Sequence, residues 1–479
     1  MVEMLTMRKW KVVVVSSFLT VVALSQSSKK AKKIHTSKGI ELKIVNPNAA
    51  GIDIADYEMQ VCVPADRDGE NNRRFGCFTR DLNEICSWLC ACKVDTVAME
   101  ATGIYWLPLY FKLKDSGIDV VLVNARDVKN ISEKKTDEAD AEWLMLLHTY
   151  GLLKASFQPE NEARKVRNLA RHRNNILKAS SKEVLHMQKA MGQMNIKLSN
   201  VLSDIAGKSG IAIIEAILAG ERDPRSLALL ADSRCKRSKE EIALSLEGTW
   251  GEDHLFELKQ AYDLYKYLQG QMAECDRMIE NALTSYTAKI DTEMGRYVKS
   301  GKPVCKKNAV SFDVEQYGYA IWGVNAMEIP GMSASSLLQL VGELGHDFVE
   351  KFDTPEKFSK WCNLVPNNKV SGGKLISSRV PKRKNPVGQI LRLCANTLKS
   401  AKNSLGVYFR RIRSRSGYMQ AIVATAHKMA RILYVMVKSK TAYDETKVGL
   451  DEQELLMKKI ERAKNALNRL NAKLCNSMG

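Results

Sequence analysis

Four acidic residues carry metal chemistry that this sequence can offer. Asp53 stands at the expected end of one strand in GIDIAD, and Glu100 at the expected end of another in AMEATG. In KTDEADAEWL, Asp137 and Asp140 are three apart, so on a helix they point the same way. Carboxylates from two strand ends and one helix can converge on one edge of a sheet. Hard oxygen donors of this kind suit Mg2+ or Mn2+, held partly by protein and partly by substrate phosphate. Two ions about 4 Å apart would activate one oxygen and stabilise another during in-line phosphoryl transfer. Asp137 taken alone reads equally well as a helix cap. Asp56, Glu138 and Glu142 are close enough in sequence to be mistaken for ligands. The set of four points to metal; no single member does.

A second stretch, residues 368–379, reads NKVSGGKLISSR. It holds two adjacent glycines, three serines, basic residues and no acid. Gly372 and Gly373 let a backbone loop approach a phosphate closely, and Lys374 and Arg379 would hold that phosphate electrostatically. By itself Ser371 is a turn serine in a Gly-Gly loop, with Ser377 and Ser378 as nearby hydroxyls.

The elements that must position these groups can be read from periodicity. Residues 51–64 alternate around a polar Asp-Tyr-Glu interruption, which predicts two strands joined by a kink. A third strand is expected at 73–79, a helix at 82–93, a strand at 96–101, a helix at 105–114 and a buried β-branched strand at 119–124. A further helix is expected from about Thr136. Three strands, helix, strand, helix, strand, helix is the order of an α/β ribonuclease-H-like domain, placed here at 49–160.

Residues 161–290 turn helical and basic. Val166, Leu169, Arg173 and Ile176 mark one face, and Arg164, Arg167 and Arg171 line another. Tyr265, Leu268, Met272, Cys275, Ile279 and Ala282 form a seam with coiled-coil spacing. The segment is either a solvated antiparallel hairpin or an arm that dimerises and touches nucleic acid. A mostly α-helical block follows at 326–445. In it the turn Ile329-Pro330-Gly331-Met332 offers backbone N–H groups to a phosphate, and Arg410, Arg411, Arg413 and Arg415 make a dense basic patch. A heptad run, Leu456, Ile460, Ala463, Leu467, Leu470 and Leu474, marks a C-terminal oligomerisation helix within 446–479.

The formal charge of +19 over 479 residues points to a polyanionic partner, nucleic acid ahead of an anionic membrane surface. With 45% hydrophobic and 27% charged residues, the chain can bury real cores. Eleven cysteines scattered through helical segments argue against a disulfide framework and fit a reducing cytoplasm. Cys86, Cys90 and Cys92 lack a second pair at zinc-site distance. Residues 1–48 read as an extension of uncertain role. A short apolar run at 12–25 looks like a secretory signal, but it is shorter than the roughly 20 residues that span a bilayer. Lys29, Lys30, Lys32 and Lys33 then follow. No membrane partner is expected.

Longer motifs add a family resemblance. GIDIAD, AMEATGIYW, VNARDVKNISEKKTDEADAEWL and HTYGLLKASFQP resemble the RuvC-like DEDD domain of the IS110 insertion-sequence transposases. EIPGMSASSLLQLVGELG, FSKWCNLVPNNKVSGGKLISS, LRLCANTLKSAKNSLGVYFRRIRSRSG and TAHKMARILY resemble that family's second domain. The form VPNNKVSGGK is similar to the subgroup related to IS1111 elements, and the resemblance spans about 49–445. It implies a recombinase that moves its own element, guided by a bridge RNA, on donor and target DNA. It maps the metal-binding acids onto Asp53, Glu100, Asp137 and Asp140, and a nucleophilic serine onto Ser371. It also implies a composite site built from both domains in a tetramer assembled from dimers, in a nucleoid-associated cytoplasmic setting. Where many relatives have a glycine-asparagine pair, this chain has Lys384-Asn385-Pro386, and Pro386 can open the following helix. A hydrolytic junction-resolving nuclease and a non-catalytic nucleic-acid-binding protein are the alternatives.

Overall fold

The alternation after residue 48 folds into a mixed sheet whose two faces divide by residue parity. In the computed structural model, the residues described are 13–16, 19–22, 35–36, 43–101, 103–124, 137–290, 297–302, 308–381, 384–448, 457, 460–461 and 463–470. They form two compact units, Met1–Gln158 and Pro159–Gly479. At the start of the first unit, Val13–Ser16 (β1), Leu19–Val22 (β2) and His35–Thr36 (β3) pair as a small antiparallel sheet. Among the described residues, no helix is long and apolar enough to cross a membrane.

The main sheet contains Ala49–Ile54 (β4), Glu58–Cys62 (β5), Asn72–Gly76 (β6), Thr96–Glu100 (β7) and Asp119–Val123 (β8), in the order β6-β5-β4-β7-β8. β4, β5 and β6 form an antiparallel meander, and β4, β7 and β8 run parallel. Thr79–Ala91 (α1) and Trp106–Asp115 (α2) supply the crossovers, and Asp137–Thr149 (α3) follows the last strand. This is the predicted order, a ribonuclease-H-like α/β sheet. Ala50, Ile52 and Ile54 of β4 join Val97 and Met99 of β7 in a core with Ile85, Leu89, Leu109 and Leu113 of α1 and α2. The opposite face carries α3, whose Trp143, Leu144 and Leu147 pack with Val123. Cys86 and Cys92 are buried in the first of these cores, and the nine described cysteines are free thiols.

In the second unit, Asn161–Gln193 (α4) and Glu252–Thr287 (α9) are helices of 33 and 36 residues, about 50 Å long at 1.5 Å per residue. They pair antiparallel: Ser180 meets Gln269, Ile176 meets Met272 and Cys275, and Arg173 meets Asp276. Part of the seam read from the sequence, Met272 and Cys275, is therefore filled within the same chain. Between these helices lies a cap of four short ones, Leu198–Val201 (α5), Lys208–Leu218 (α6), Pro224–Leu229 (α7) and Lys239–Leu244 (α8), around Ile213, Ile217 and Leu258. The sequence reading missed this cap.

The remaining helices are Val314–Trp322 (α10), Ala334–Leu344 (α11), Phe348–Lys351 (α12), Pro355–Trp361 (α13), Pro386–Thr397 (α14), Ser404–Ser416 (α15), Tyr418–Ser439 (α16) and Glu445–Val448 (α17). Their core is aromatic, with Phe348 and Phe358 packed on one another and on Tyr434. Ser333 caps α11, and Gly345, at φ +74°, ends it. Between α13 and α14 stand two strands, Asn367–Ser371 (β9) and Lys374–Arg379 (β10). Of the C-terminal heptad run, Ile460, Ala463, Leu467 and Leu470 are helical and exposed, while Leu456 and Leu474 lie outside the described residues.

Candidate active site

Parity and register decide where the acids of the first unit point. Ile52 of β4 lies beside Met99 of β7, so Asp53 and Glu100 occupy the next position on these parallel neighbours. Ile52 and Met99 face α1 and α2, and alternation turns Asp53 and Glu100 to the α3 side. Gly51, two residues before Asp53, explains how α3 comes so close. A Cβ there would stand 2.2 Å from the Ala141 carbonyl oxygen and 2.3 Å from the Met145 nitrogen. Only a glycine lets the helix backbone rest on the strand, and Ala141, the residue after Asp140, lies over Gly51. The ligand atoms of Asp53, Glu100 and Asp140 are not all within 4.8 Å of one another in this structure. Asp53 also accepts a hydrogen bond from the Ile54 N–H at 3.1 Å. Asp53 and Asp140 are half-buried and Glu100 is 9% exposed. Asp137 opens α3, one turn before Asp140. A donor set made wholly of carboxylate oxygen fits a hard divalent ion.

In the second unit, the stretch read as a loop is a β-hairpin. Ser371 pairs with Lys374 across a two-residue turn, and Gly372 and Gly373 take φ values of +55° and +74°. Paired glycines at positive φ are what a tight hairpin turn demands, so Gly-Gly was the signal that a loop reading passed over. Val370 pairs with Leu375, Lys369 with Ser377 and Asn367 with Arg379, with a register shift at Ile376. Cross-strand partners share a face. Ser371, Lys374, Lys369, Ser377 and Arg379 therefore lie on one face, and Val370 and Leu375 on the other. Ser378 pairs with Asn368 and belongs to the second face.

The hairpin is exposed along its length but clamped at its base. Asn385 accepts from the Gly388 N–H at 3.0 Å, capping α14, and donates to the Trp361 carbonyl at 3.0 Å. Pro386 takes the first turn of that helix, as predicted. A Cβ on Gly388 would stand 2.0 Å from the Cys362 carbonyl, so α13 and α14 touch backbone to backbone. Arg392 donates to the Asn363 carbonyl at 2.5 Å. These contacts hold the end of α13 against the start of α14, the two helices that flank the hairpin in sequence.

Two stretches of the chain match known transposase families. Residues 50–196 match the model DEDD_Tnp_IS110, described as a transposase, and residues 324–409 match the Transposase IS116/IS110/IS902 family. Both matches are to domain models of IS110-family transposases. A search of curated proteins returns no match. The IS110-type domains imply DNA cleavage and strand transfer, and the DEDD domain suggests dependence on a divalent metal. The first match contains Asp53, Glu100, Asp137 and Asp140, and the second contains Ser371.

Other groups in the chain fall differently from their sequence reading. Arg410, Arg411, Arg413 and Arg415 are exposed on α15, where Arg411 lies over Tyr408 at 5.4 Å and Arg413 over Tyr418 at 5.4 Å. Lys428 approaches Tyr408 from α16 at 4.9 Å, which makes a cationic surface interleaved with aromatic rings. Of the arginine row of α4, Arg164 and Arg167 turn inward, while Arg171 stays exposed and is held by an acid. Arg164 is buried, Arg171 makes a two-pronged pair with Glu343 at 2.7 and 2.9 Å, and burial pulls the Arg167 guanidinium down to about 10. Gly342 of α11 permits this, because a Cβ there would stand 2.7 Å from the Arg167 Cα. The turn at 329–332 also packs inward, with Ile329 and Met332 buried and Gly331 close to the Cys394 carbonyl of α14.

Among the described residues, the one set of three possible ligand side chains with atoms all within 4.8 Å of each other is Glu160, His346 and Asp347. It was not foreseen, and none of its members is among the acids named from the sequence. Its groups bond to one another and to the protein: Glu160 accepts from the Tyr286 hydroxyl and meets His346 Nδ1, and Asp347 pairs with Lys351 at 2.7 Å. It ties the start of α4 to the end of α9 and the loop after α11.

Proposed function

We propose that this IS110-family transposase cuts and rejoins DNA through a covalent Ser371 intermediate, guided by a structured bridge RNA. The observation that carries the reading is the hairpin. Ser371 stands exposed at a glycine turn, on one face with Lys369, Lys374 and Arg379, above a clamped base. Asp53, Glu100, Asp137 and Asp140 would hold Mg2+ or Mn2+. Such an ion supplies positive charge to a scissile phosphate and helps a serine hydroxyl, a poor nucleophile at neutral pH, to react.

The chain's own groups then do the following. Ser371 Oγ attacks phosphorus, a serine–phosphate bond forms, and one phosphate–deoxyribose bond breaks. The serine gives up its proton, and the departing 3′- or 5′-hydroxyl gains one. Lys369, Lys374 and Arg379 hold the phosphate oxygens. A hydroxyl from another strand attacks the phosphoserine, restores a phosphodiester and frees the serine. The number of phosphodiesters is unchanged, so no external energy is needed. The site is composite, with acids and serine supplied by different copies in dimers that assemble into a tetramer. The exposed stripe of Ile460, Leu467 and Leu470 suits helix association.

Bridge-RNA contact would read phosphate and shape, because A-form grooves hide base edges. Sequence choice would fall to RNA–DNA pairing held by the protein. Arg410, Arg411, Arg413 and Arg415 with their aromatic neighbours are the surface that best suits it. The form VPNNKVSGGK favours the subgroup related to IS1111 elements. A nucleoid-associated site of action fits the charge.

The test is a suicide DNA substrate incubated with Mg2+ and the substrate's RNA. The expected product is a covalent protein–DNA adduct that Ser371→Ala abolishes and Ser377→Ala and Ser378→Ala keep. Cleavage without an adduct, surviving Ser371→Ala, would establish the hydrolytic junction-nuclease alternative instead.

A further inference from the structure

Cross-strand register places one further cation on the sheet face that carries Asp53. Asp53 of β4 pairs with Gln60 of β5, and Gln60 pairs with Arg74 of β6. Directly paired residues share a face, so Asp53, Gln60 and Arg74 form one row on the α3 side of the sheet. The core contacts agree, because the neighbouring pair, Met59 and Phe75, packs with α1 and α2. The two adjacent arginines of β6 therefore part company. Arg73 turns to the α1 side, where it lies over Trp88 at 4.8 Å and pairs with Asp68 at 2.9 Å. Arg74 keeps 61% of its side chain exposed on an outer strand of the sheet. It meets Glu58 at 3.3 Å, a surface pair of little worth that a phosphate can displace. Two exposed aromatic rings stand at the same end of the sheet. Tyr57 precedes Glu58, whose cross-strand partner is Gly76, and Phe78 follows Gly76 by two residues. They are 84% and 68% exposed, and the Arg80 guanidinium lies 6.0 Å from the Phe78 ring.

We propose that the β6 side of the sheet is a track for the DNA strand cut at the acids, with Arg74 on a phosphate near the cut and Tyr57 and Phe78 on unpaired bases. The proposal rests on the reading of Asp53 and its fellow acids as a metal-dependent cutting site. It adds the side from which the strand is held. Two strand spacings of about 4.8 Å separate Asp53 from Arg74. At roughly 3.4 Å per nucleotide, that span covers about three nucleotides. Every base has a face that an aromatic ring can stack on, so Tyr57 and Phe78 suit a strand of any sequence. A base reaches such a ring only by leaving its own stack. The cut strand is therefore unpaired beside the acids.

A methylphosphonate scan tests the track. Single phosphates of the suicide DNA substrate are replaced by neutral methylphosphonates, and the full chain is used with the same RNA. Affinity is measured without Mg2+, and the cut is mapped with it. Arg74→Ala lowers affinity for unmodified DNA at least about tenfold, the usual worth of a hydrogen bond to a charged group. At one methylphosphonate within about three nucleotides of the cut, Arg74→Ala costs less than about twofold, because the charge it served is already gone. An abasic site beside that phosphate likewise cancels the loss caused by Tyr57→Ser with Phe78→Ser. Glu58→Gln leaves affinity unchanged or raises it, since this acid competes with DNA for Arg74. A loss equal to that of Arg74→Ala would make the pair structural and overturn the proposal. Additive losses at every position, or coupling only at phosphates farther from the cut, overturn it too. Those results leave the serine reading in place, because the adduct and its loss in Ser371→Ala are read separately. No cut at all would instead remove the reading of the acids, and the track with it.

Discussion

Glu100 and Ser371 occupy opposite solvent regimes, and each suits its proposed part. Glu100 is 9% exposed at the end of a core strand, so packing fixes where its oxygens lie. Ser371 is exposed at a turn, where a DNA backbone can reach it. His148 shows how a single buried group makes this fold sensitive to pH. Its Nε2 lies 2.8 Å from Thr96 Oγ1, joining the last turn of α3 to the first residue of β7. Burial pushes its imidazole below the ordinary value, although Asp95 pulls the other way. An unfolded histidine titrates near about 6.5. Because the folded value is depressed, the unfolded chain binds more protons below that pH, and stability is lost as pH falls through the folded value. His148→Gln is expected to show a smaller fall in melting temperature between about pH 7 and about pH 5 than the unaltered chain. An equal fall in both proteins would rule out this contribution.

At the scale of elements, close backbone contacts at glycines decide the site more than any side-chain pair does. Gly51 seats α3 on β4, Gly388 seats α14 on α13, and Gly342 seats α11 on α4. Gly51→Ala places a methyl 2.2 Å from the Ala141 carbonyl, a backbone atom that cannot swing away. The expected cost is about 1–3 kcal/mol, the usual range for overpacking. α3 must also shift, and Asp140 with it. Denaturant titration should show the loss of stability, and metal-dependent cleavage should fall further than nucleic-acid binding does. Loss of both in equal measure would mean that the helix is not what sets the acids. These contacts were not legible in the sequence. A glycine in a strand announces a close approach but does not name its neighbour.

For the whole molecule, the +19 charge is unevenly used. Arg173 is buried against Asp276 at 2.5 Å, and Arg171 is committed to Glu343. Arg410, Arg411, Arg413 and Arg415 remain on the surface of α15, and they are where a polyanion would register the charge. Removing Arg411 and Arg413 together should flatten the dependence of binding on salt. The expected change in slope is roughly 0.7–0.9 per arginine, from counterion release. Binding measured across a salt series checks this. Lys165→Ala offers the contrast, since that exposed side chain is paired with Glu162 at 3.2 Å and its loss should leave the slope nearly unchanged.

The sequence by itself determined the strand and helix order of the first unit, because alternating and helical periods are local and survive without tertiary context. It also determined the start of α14 at Pro386 and the types of residue available to bind a metal or a phosphate. Tertiary structure alone decided which basic residues face solvent. Arg167 and Arg413 have the same chemistry and similar helical surroundings in sequence, yet one is enclosed beside Gly342 and the other lies over Tyr418. It likewise filled part of the α9 seam with α4 of the same chain and gathered Glu160 to His346 across 186 residues. Such pairings depend on which surfaces meet after the chain has folded, and no local period encodes that.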